Sequence, residues 1–330
     1  MDRAMSKVTI EDISRRTGLS RGTVSRALND RPDISHQTKQ RVLEACSELN
    51  YVPSLAARSL ATGRCYAVAV VVDDLRSAFA GSYVRGVLAR AARDNYAVHV
   101  SELGADAKTA VDRLCRVASE RVDSVILATP LSTELTRQLA ESLETRPIVG
   151  AVGAESPTFD TYTPDFVEAG RLAGRHILRE GATDVLYLHE GAGERDSECV
   201  AGFQEVCRQM HIAPEAVTMK VSAEDPNRLA AARERLREVR AVGTTNDFLA
   251  LEVMLAAREL GRVVAVIGLG NEPFGVRISR GLTTIDLCGE EIGRRAMETS
   301  IQRITKTRQD TAQHTRVPPV LIVRGSTDEM

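Results

Sequence analysis

The chain has 330 residues, 43% of them hydrophobic and 4% aromatic, with no tryptophan and a formal net charge of −2, and this length predicts two or three domains. No run of about 18 apolar residues marks a membrane span, and the N-terminus lacks the apolar stretch of a secretion signal. The six cysteines are scattered without a CxxC pair, which indicates reduced thiols in the cytoplasm rather than disulfides or a zinc site.

Charge is unevenly divided along the chain. Residues 1–64 carry eleven Lys and Arg against seven Asp and Glu, a net charge of +4, which leaves −6 for residues 65–330. A basic head on an acidic body predicts a module that binds a polyanion, joined to a body that does not.

Three short helices are predicted in the head. The first begins after Thr9, which has a capping-box pattern with Asp12, and ends at Gly18. The second begins after Ser20 and the third after Ser35, because both serines are favourable N-caps. A helix, a tight turn with glycine and a second helix form a helix-turn-helix. The third helix is expected to bury four residues: Val42, Leu43, Cys46 and Leu49.

The second helix, within "LSRGTVSRALN" (19–29), separates its charges from its apolar positions. The apolar positions predict one buried side: Leu19, Val24 and Leu28. This leaves Arg21 and Arg26 for a partner. An isolated helix with two such charges is more typical of a solvated surface. The caps and the turn instead favour a recognition helix, whose N-terminal residues reach base edges in the major groove. Each arginine can pair with a guanine there.

The segment 8–63, with "TVSRALN" and "LNYVPSLAARSLATG", resembles the DNA-binding headpiece of lactose-repressor-type (LacI/GalR family) bacterial transcription factors. The resemblance implies that Arg21 and Gly22 select the operator and that Arg26 is the next base contact. It also implies residues that cap helices or hold phosphates: Thr9, Ser20, Thr23, Ser25 and Ser35. Asn29 completes the expected DNA-binding set of this region.

Residues 53–64 are predicted to form a hinge helix that folds on DNA. Pro53 favours a helix start, but "SLAARSLA" is shorter than the roughly 12–15 residues that an isolated helix needs in water. We therefore expect it to become ordered when it binds. The resemblance implies that Leu60 wedges between base steps of the minor groove and that Ala57 packs against its counterpart. Arg58 is included among the expected DNA contacts.

From residue 65 onward, apolar strands alternate with helices. The expected strands are 66–72, 96–102, 122–129, 184–190, 217–222, 241–246 and 263–269. The expected helices are 79–94, 106–120, 166–180, 198–210, 226–239 and 247–260. This alternation predicts parallel sheets covered on both faces, with ligands bound beyond the carboxyl ends of the strands.

The body resembles the effector-binding core of the same family, an α/β fold with two lobes like a periplasmic binding protein. The segments that carry this resemblance include "FVEAGRLAGRHILREGATDVLYL", "TNDFLALEVMLAARELG" and "VPPVLIVRGST". The expected domains are a helix-turn-helix domain at 1–52, a hinge helix and linker at 53–64, and a core at 65–330. Within the core, lobe 1 is expected at about 65–161 and 287–317, and lobe 2 at about 162–286 and 318–330. A homodimer that reads a pseudo-palindromic operator is expected.

The cleft between the lobes departs from the family's sugar-binding pattern. "CVAGF" places Cys199 where sugar-binding members carry arginine, and "GLGNE" places Gly270 and Asn271 where two acids are usual. A neutral sugar is therefore disfavoured as the effector, because each buried hydroxyl without a partner costs roughly 1–3 kcal/mol. The candidate effector-binding residues are Asp74, Arg76, Ser77, Phe79, Asp165, Arg195, Cys199, Asn246, Asp247 and Asn271.

The expected function is a sequence-specific repressor that binds double-stranded operator DNA as a dimer and responds to an unidentified small molecule. The alternative is a regulator without an effector, whose core serves only for dimerisation. We expect no enzyme activity, no cofactor, no metal and no membrane partner. "GLGNEPFG" places Pro273 at the third glycine of a dinucleotide motif, Cys199 is interpreted as a packed thiol, and "GERDSE" (193–198) as a charged loop. The expected location is the bacterial cytoplasm, on the nucleoid when bound.

Overall fold

The chain divides at Tyr66 into a head and a body. In the computed structural model of the chain, Met1–Tyr66 form one unit and Ala67–Met330 the other. The structure describes residues 8–28, 33–51, 59, 62–103, 107–150, 158–178, 184–191, 193–222, 225, 227–278 and 280–328.

The head contains the three helices that the sequence predicts: α1 (Ile10–Thr17), α2 (Arg21–Leu28) and α3 (His36–Glu48). α1 ends at Gly18, whose φ of 66° is left-handed, a backbone conformation that glycine adopts without strain at the end of a helix. Side chains from all three helices meet in one small apolar core: Ile13, Val24, Ala27, Val42, Ala45 and Cys46.

One position of α3 is not where the sequence analysis placed it. Leu43 is 49% exposed, so the prediction that it packs in the head is wrong, and Ala45 is buried instead. Val42 and Cys46 are one helical turn apart and share a face, whereas Leu43 is rotated by about 100° from Val42. Leu43 therefore lies on a face of α3 that is turned away from the core.

The predicted hinge lies almost wholly outside the described residues. Of residues 53–64, the structure describes Ser59, Thr62, Gly63 and Arg64. The hinge helix and the contacts expected of Ala57, Arg58 and Leu60 stay predictions, and so does the role of Asn29, which is also outside the described part.

The body is built from strands and helices that alternate along the chain. Its described strands are β1 (Ala67–Val72), β2 (Ala97–Glu102), β3 (Ser124–Leu127), β4 (Ile148–Gly150), β5 (Asp160–Pro164), β6 (Val185–His189), β7 (Thr218–Lys220), β8 (Ala241–Thr244), β9 (Ala265–Leu269), β10 (Thr283–Asp286), β11 (His314–Val317) and β12 (Val320–Ile322). Its described helices are α4 (Ala78–Arg93), α5 (Ala107–Ser119), α6 (Thr133–Leu143), α7 (Phe166–Ile177), α8 (Gly193–Gln209), α9 (Pro214–Val217), α10 (Ala230–Leu236), α11 (Asp247–Glu259) and α12 (Gly289–Thr305).

The strands form two sheets, each with six described strands. Their orders are β11-β5-β4-β3-β1-β2 and β12-β10-β9-β8-β6-β7. All pairs of the first sheet are parallel, and in the second only β12 runs antiparallel, beside β10. The parallel two-lobed α/β class is therefore confirmed, with an antiparallel edge strand that the alternation of elements did not reveal.

The first sheet and the helices packed on it are called lobe 1 below, and the second sheet with its helices lobe 2. The chain passes between the sheets after β5, after β10 and between β11 and β12. The lobe limits expected from the sequence stay predictions, because sheet membership alone does not define where a lobe ends.

Two helix pairs, one in each lobe, approach so closely that only glycine fits between them. A Cβ on Gly170 of α7 would overlap the carbonyl of Cys199 on α8, and one on Gly202 would overlap the carbonyl of Val167. In lobe 1, Gly86 of α4 lies in the same way against the backbone of α12. Both lobes thus use glycine to bring two helices into backbone contact. In lobe 2 this contact holds α8, the helix that follows β6, against α7.

Candidate nucleic-acid interface and cleft

α2 has one buried face and one face open to a partner. Val24 and Ala27 are buried in the head, whereas Arg21, Gly22 and Arg26 are exposed. The core therefore anchors the helix by a narrow stripe and leaves the arginines on the accessible surface.

Serine side chains cap α2 and α3, as the sequence predicts. The Ser20 hydroxyl accepts a hydrogen bond from the Thr23 amide at 3.1 Å, and the Ser35 hydroxyl accepts one from the Thr38 amide at 3.2 Å. Each bond satisfies an amide that has no partner within its own helix, which stabilises a short helix by about 1 kcal/mol.

Thr9 caps α1 in a different way. Its amide and its hydroxyl both donate to the Asp12 carboxylate, at 2.9 and 2.8 Å. These hydrogen bonds hold the pKa of Asp12 below its usual value. Both halves of the capping box that the sequence predicts are present, because the Thr9 side chain also faces the Asp12 backbone.

Acidic partners hold both arginines of the open face. Arg21 Nη1 lies 3.3 Å from Glu11 Oε2. Arg26 Nη1 donates to Asp33 at 3.2 Å, and its Nε donates to the Gly22 carbonyl at 3.3 Å. Sequence reasoning missed both carboxylates, because nothing in their spacing marks them as partners of α2.

The residues predicted for the cleft follow carboxyl ends of strands. Asp74, Arg76 and Ser77 follow β1, and Asp165 follows β5. In lobe 2, Arg195 and Cys199 lie on α8 after β6, Asn246 and Asp247 follow β8, and Asn271 follows β9. This is the edge at which parallel α/β sheets bind ligands.

Comparisons with known proteins agree over both units. Residues 9–54 match the family model described as bacterial regulatory proteins, lacI family, and residues 174–327 match the periplasmic binding protein-like domain. The head is thus a LacI-family DNA-binding domain, joined to a body with a periplasmic binding protein-like domain. The curated relatives with this arrangement are transcriptional regulators and not enzymes.

The similarity to LacI-family proteins extends over the full length. The chain is 28% identical to the HTH-type transcriptional repressor PurR of Vibrio campbellii, over 98% of this chain and 99% of that protein. A LacI-family regulator from Silicibacter pomeroyi has 25% identity and a TM-score of 0.68 over 97% of this chain and 99% of that one. The lac repressor dimer bound to operator has a TM-score of 0.75 at 21% identity, over 98% and 99%, a likeness of fold.

Polar groups predicted to bind an effector are hydrogen-bonded to neighbours in the same chain. Asp165 accepts from the Glu168 amide at 2.9 Å, and Asn246 from the Leu249 amide at 2.7 Å, so both are helix caps. The Ser77 hydroxyl accepts from the Ala80 amide at 3.5 Å. These contacts resemble those that cap α2 and α3.

Charged groups of the β1 and β6 loops are also paired. Asp74 accepts from Arg76 Nη2 at 2.8 Å, and this contact lowers the pKa of Asp74. Arg195 Nε lies 3.6 Å from Asp196. Asp196, which the sequence analysis did not single out, is buried and accepts from the amides of Glu190 and Gly191.

The interpretation of "GERDSE" as a charged loop is wrong, because these residues form the first turns of α8. α8 therefore begins five residues before the predicted 198. The helix also carries Cys199 into the apolar core of lobe 2. Burial raises the pKa of this thiol to about 12, so at neutral pH it is an unreactive, packed group.

Asp247 is fully buried and holds the "GLGNE" loop in place. Its carboxylate accepts from the Thr284 hydroxyl at 2.6 Å and from the Glu272 amide at 2.7 Å. Burial raises its pKa to about 6, against a usual 3.8. Next to Glu272, Asn271 donates to Asp286 at 2.9 Å and accepts from Arg324 at 2.8 Å.

Among the residues that the structure describes, three contacts join the lobes across the cleft. Glu272 of lobe 2 accepts from the Ala78 amide of lobe 1 at 3.1 Å. Arg316 and Glu198 form an ion pair at 2.9 Å. Phe79, predicted to touch an effector, packs against the apolar core of lobe 2. Sequence reasoning missed Glu272, whose contact depends on the arrangement of both lobes.

Within the part of the chain that the structure describes, no group of three His, Cys, Asp or Glu side chains is placed to hold a metal ion. No described helix combines the length and apolar character that crossing a bilayer requires.

Proposed function

We propose that the chain is a repressor that binds a pseudo-palindromic operator as a homodimer, in the bacterial cytoplasm and on the nucleoid while bound. The observation that carries this proposal is the open face of α2. Arg21 and Arg26 are exposed on a short helix that is capped by Ser20 and anchored by Val24. In a helix-turn-helix this face enters the major groove, where arginine discriminates guanine from other bases.

An exposed apolar face on lobe 2 supports self-association. On α11, Phe248 is 54% exposed and Leu255 is 52% exposed. The Phe248 ring lies 5.0 Å from that of Phe274, and Val276, close by in sequence, is also exposed. Apolar side chains clustered at a surface mark an interaction site, and a second copy of the same chain gives a two-fold dimer that matches a two-fold operator.

Selection of bound duplexes from a random pool tests this proposal. We expect a two-fold symmetric site with a flexible pyrimidine–purine step at its centre, where Leu60 would wedge. A site without symmetry, or recovery of duplexes without any common sequence, would contradict a dimeric repressor.

We further propose that a small molecule in the cleft modulates operator affinity. The cleft lies between two lobes that are linked by three connections. Among the described residues, two polar contacts bridge it: Glu272 with Ala78 and Arg316 with Glu198. A ligand that changes lobe closure would change operator affinity, and operator DNA would change ligand affinity by the same factor.

A specific observation favours a second candidate, a regulator without an effector. The side chains of Asp165, Asn246, Asp247 and Asn271 are already hydrogen-bonded within the chain. Thermal-shift measurements with sugars, sugar phosphates and nucleobases separate the two. A compound that raises the melting temperature and changes operator affinity supports modulation, and no response from any of them supports a core that only dimerises.

A further inference from the structure

Glu11 lies in the first turn of α1, where the helix dipole favours a carboxylate, but it does not cap the helix. The neighbouring Asp12 accepts the hydrogen bonds that cap α1. Glu11 is 50% exposed in its side chain, and its described contact is with Arg21, 3.3 Å away on α2. Besides its favourable place in α1, Glu11 therefore has a charged partner on the next helix.

Arg21 is the first residue of α2. A cation at this end of a helix is opposed by the helix dipole, so the position is unfavourable for arginine on grounds of helix stability. The nearby Glu11 carboxylate offsets this repulsion. It also restricts where the guanidinium points, because Nη1 is attracted to one side.

The contact with Glu11 leaves the other edge of the guanidinium open. Nε and Nη2 of Arg21 donate to no acceptor among the residues that the structure describes. These two groups form one edge of the planar guanidinium group, and their two N–H donors match the two acceptors, N7 and O6, of a guanine. Arg26 differs, because its Nε already donates to the Gly22 carbonyl.

We propose that Glu11 is a positioning residue for base recognition: it holds Arg21 by Nη1 so that the Nε–Nη2 edge faces a guanine in the major groove. This inference rests on the proposed function, operator binding by α2. It adds a determinant of specificity that lies on the other helix of the motif.

A carboxylate in this place has two effects of opposite sign. It repels phosphates, which lowers affinity for every duplex regardless of sequence. It also orients Arg21, which increases discrimination at one base pair of each half-site. Removal of its charge should therefore strengthen binding to unrelated DNA and weaken discrimination at that base pair. A residue that serves only the fold would change neither in this way.

Glu48 offers a matched control. It pairs with Arg16 at 2.7 Å and is 54% exposed in its side chain, similar to Glu11. The Glu48→Gln change removes the same charge from the head without touching Arg21. Glu11→Asp provides a second comparison, because it keeps the charge but shortens the reach to Nη1.

The experiment measures binding of the full chain to the duplex recovered by selection from a random pool. Further probes are a scrambled duplex and a set in which each base pair of the half-site is changed in turn, all at one salt concentration. For Glu11→Gln we expect about twofold to threefold tighter binding to the scrambled duplex and about tenfold weaker discrimination at one base pair. Glu11→Asp should lose discrimination without binding the scrambled duplex more tightly.

The outcomes separate the two levels of the proposal. If Glu11→Gln keeps the wild-type discrimination at every base pair, as Glu48→Gln should, the positioning role is wrong. If discrimination falls at all base pairs together with the melting temperature of the head, Glu11 supports the fold instead and the proposal is overturned. If the wild-type chain itself does not distinguish the recovered duplex from the scrambled one, the proposed function fails.

Discussion

Arg26 is held by two acceptors that DNA must replace. Its Nε donates to the Gly22 carbonyl, and its Nη1 donates to Asp33. Both bonds lie at the surface, where charged pairs contribute only about 0–1 kcal/mol. A guanine can therefore replace them at little cost.

For Arg26→Ala we expect a loss of about 1–3 kcal/mol in operator binding and relaxed specificity at one base pair per half-site. Anisotropy titrations against duplexes with single base-pair changes measure both effects. Arg16→Ala is the control, because Arg16 pairs with Glu48 on another face. Equal weakening on all sequences would make Arg26 a phosphate contact instead.

The buried Asp247 gives the body a dependence on pH. Its pKa is about 6 in the folded chain, against 3.8 for an unperturbed carboxyl. Between these two values the folded chain binds a proton that the unfolded chain does not. The free energy of unfolding therefore rises as the pH falls through about 6, by up to about 3 kcal/mol from this group.

The Asp247→Asn change should flatten that dependence. An amide has nearly the same shape, and it can accept from the Glu272 amide and donate to Thr284. Melting temperatures at about pH 5 and about pH 7.5 measure the difference, which should be smaller in the variant than in wild type. Asp112→Asn is the matched control, because Asp112 is an exposed residue of α5. An unchanged difference in Asp247→Asn would show that Asp247 is not its source.

At the scale of elements, the glycines between α7 and α8 set the geometry of lobe 2. For Gly170→Ala, the new Cβ would overlap the Cys199 carbonyl, and backbone cannot move aside as a flexible side chain does. We expect destabilisation of about 3 kcal/mol. Thermal unfolding followed by circular dichroism measures it.

Gly81→Ala on α4 is the control for this prediction. The nearest atom to its Cβ is the flexible Arg85 side chain at 3.8 Å, and alanine favours the helix by about 0.5–1 kcal/mol. The control should therefore be neutral or slightly stabilising. If Gly170→Ala melts at the same temperature as Gly81→Ala, the close approach of α7 and α8 does not limit packing.

Elements set by local sequence were predictable, and those set by distant contacts were not. Thr9, Ser20 and Ser35 mark helix starts because each cap bonds to residues within the next turn. The early start of α8 and the antiparallel direction of β12 left no comparable signal. Both depend on packing against strands that are far away in sequence.

The same distinction applies to the sites of the whole molecule. The pattern of Arg21 and Arg26 on a capped helix identified the open face, and the resemblance placed the candidate cleft residues after strand ends. Neither the pattern nor the resemblance revealed that Glu11 lies beside Arg21, or that Glu272 contacts Ala78 in the other lobe. Those contacts bring together residues from separate helices and lobes, so spacing along the chain does not encode them.

The division of charge between head and body explains why DNA is attracted to one part of the chain and not to the other. The head carries a net +4 and the remaining residues −6, so DNA attracts the head and repels the body. Affinity for any duplex should therefore fall steeply as salt increases, while the preference for the operator comes from base contacts.

The most direct test of the account is the ratio of two dissociation constants, for a scrambled duplex and for the duplex recovered by selection, at one physiological salt concentration. If the open face of α2 reads bases, the full chain should bind the recovered duplex about 10³-fold or more tightly. A ratio near one would contradict sequence recognition by Arg21 and Arg26.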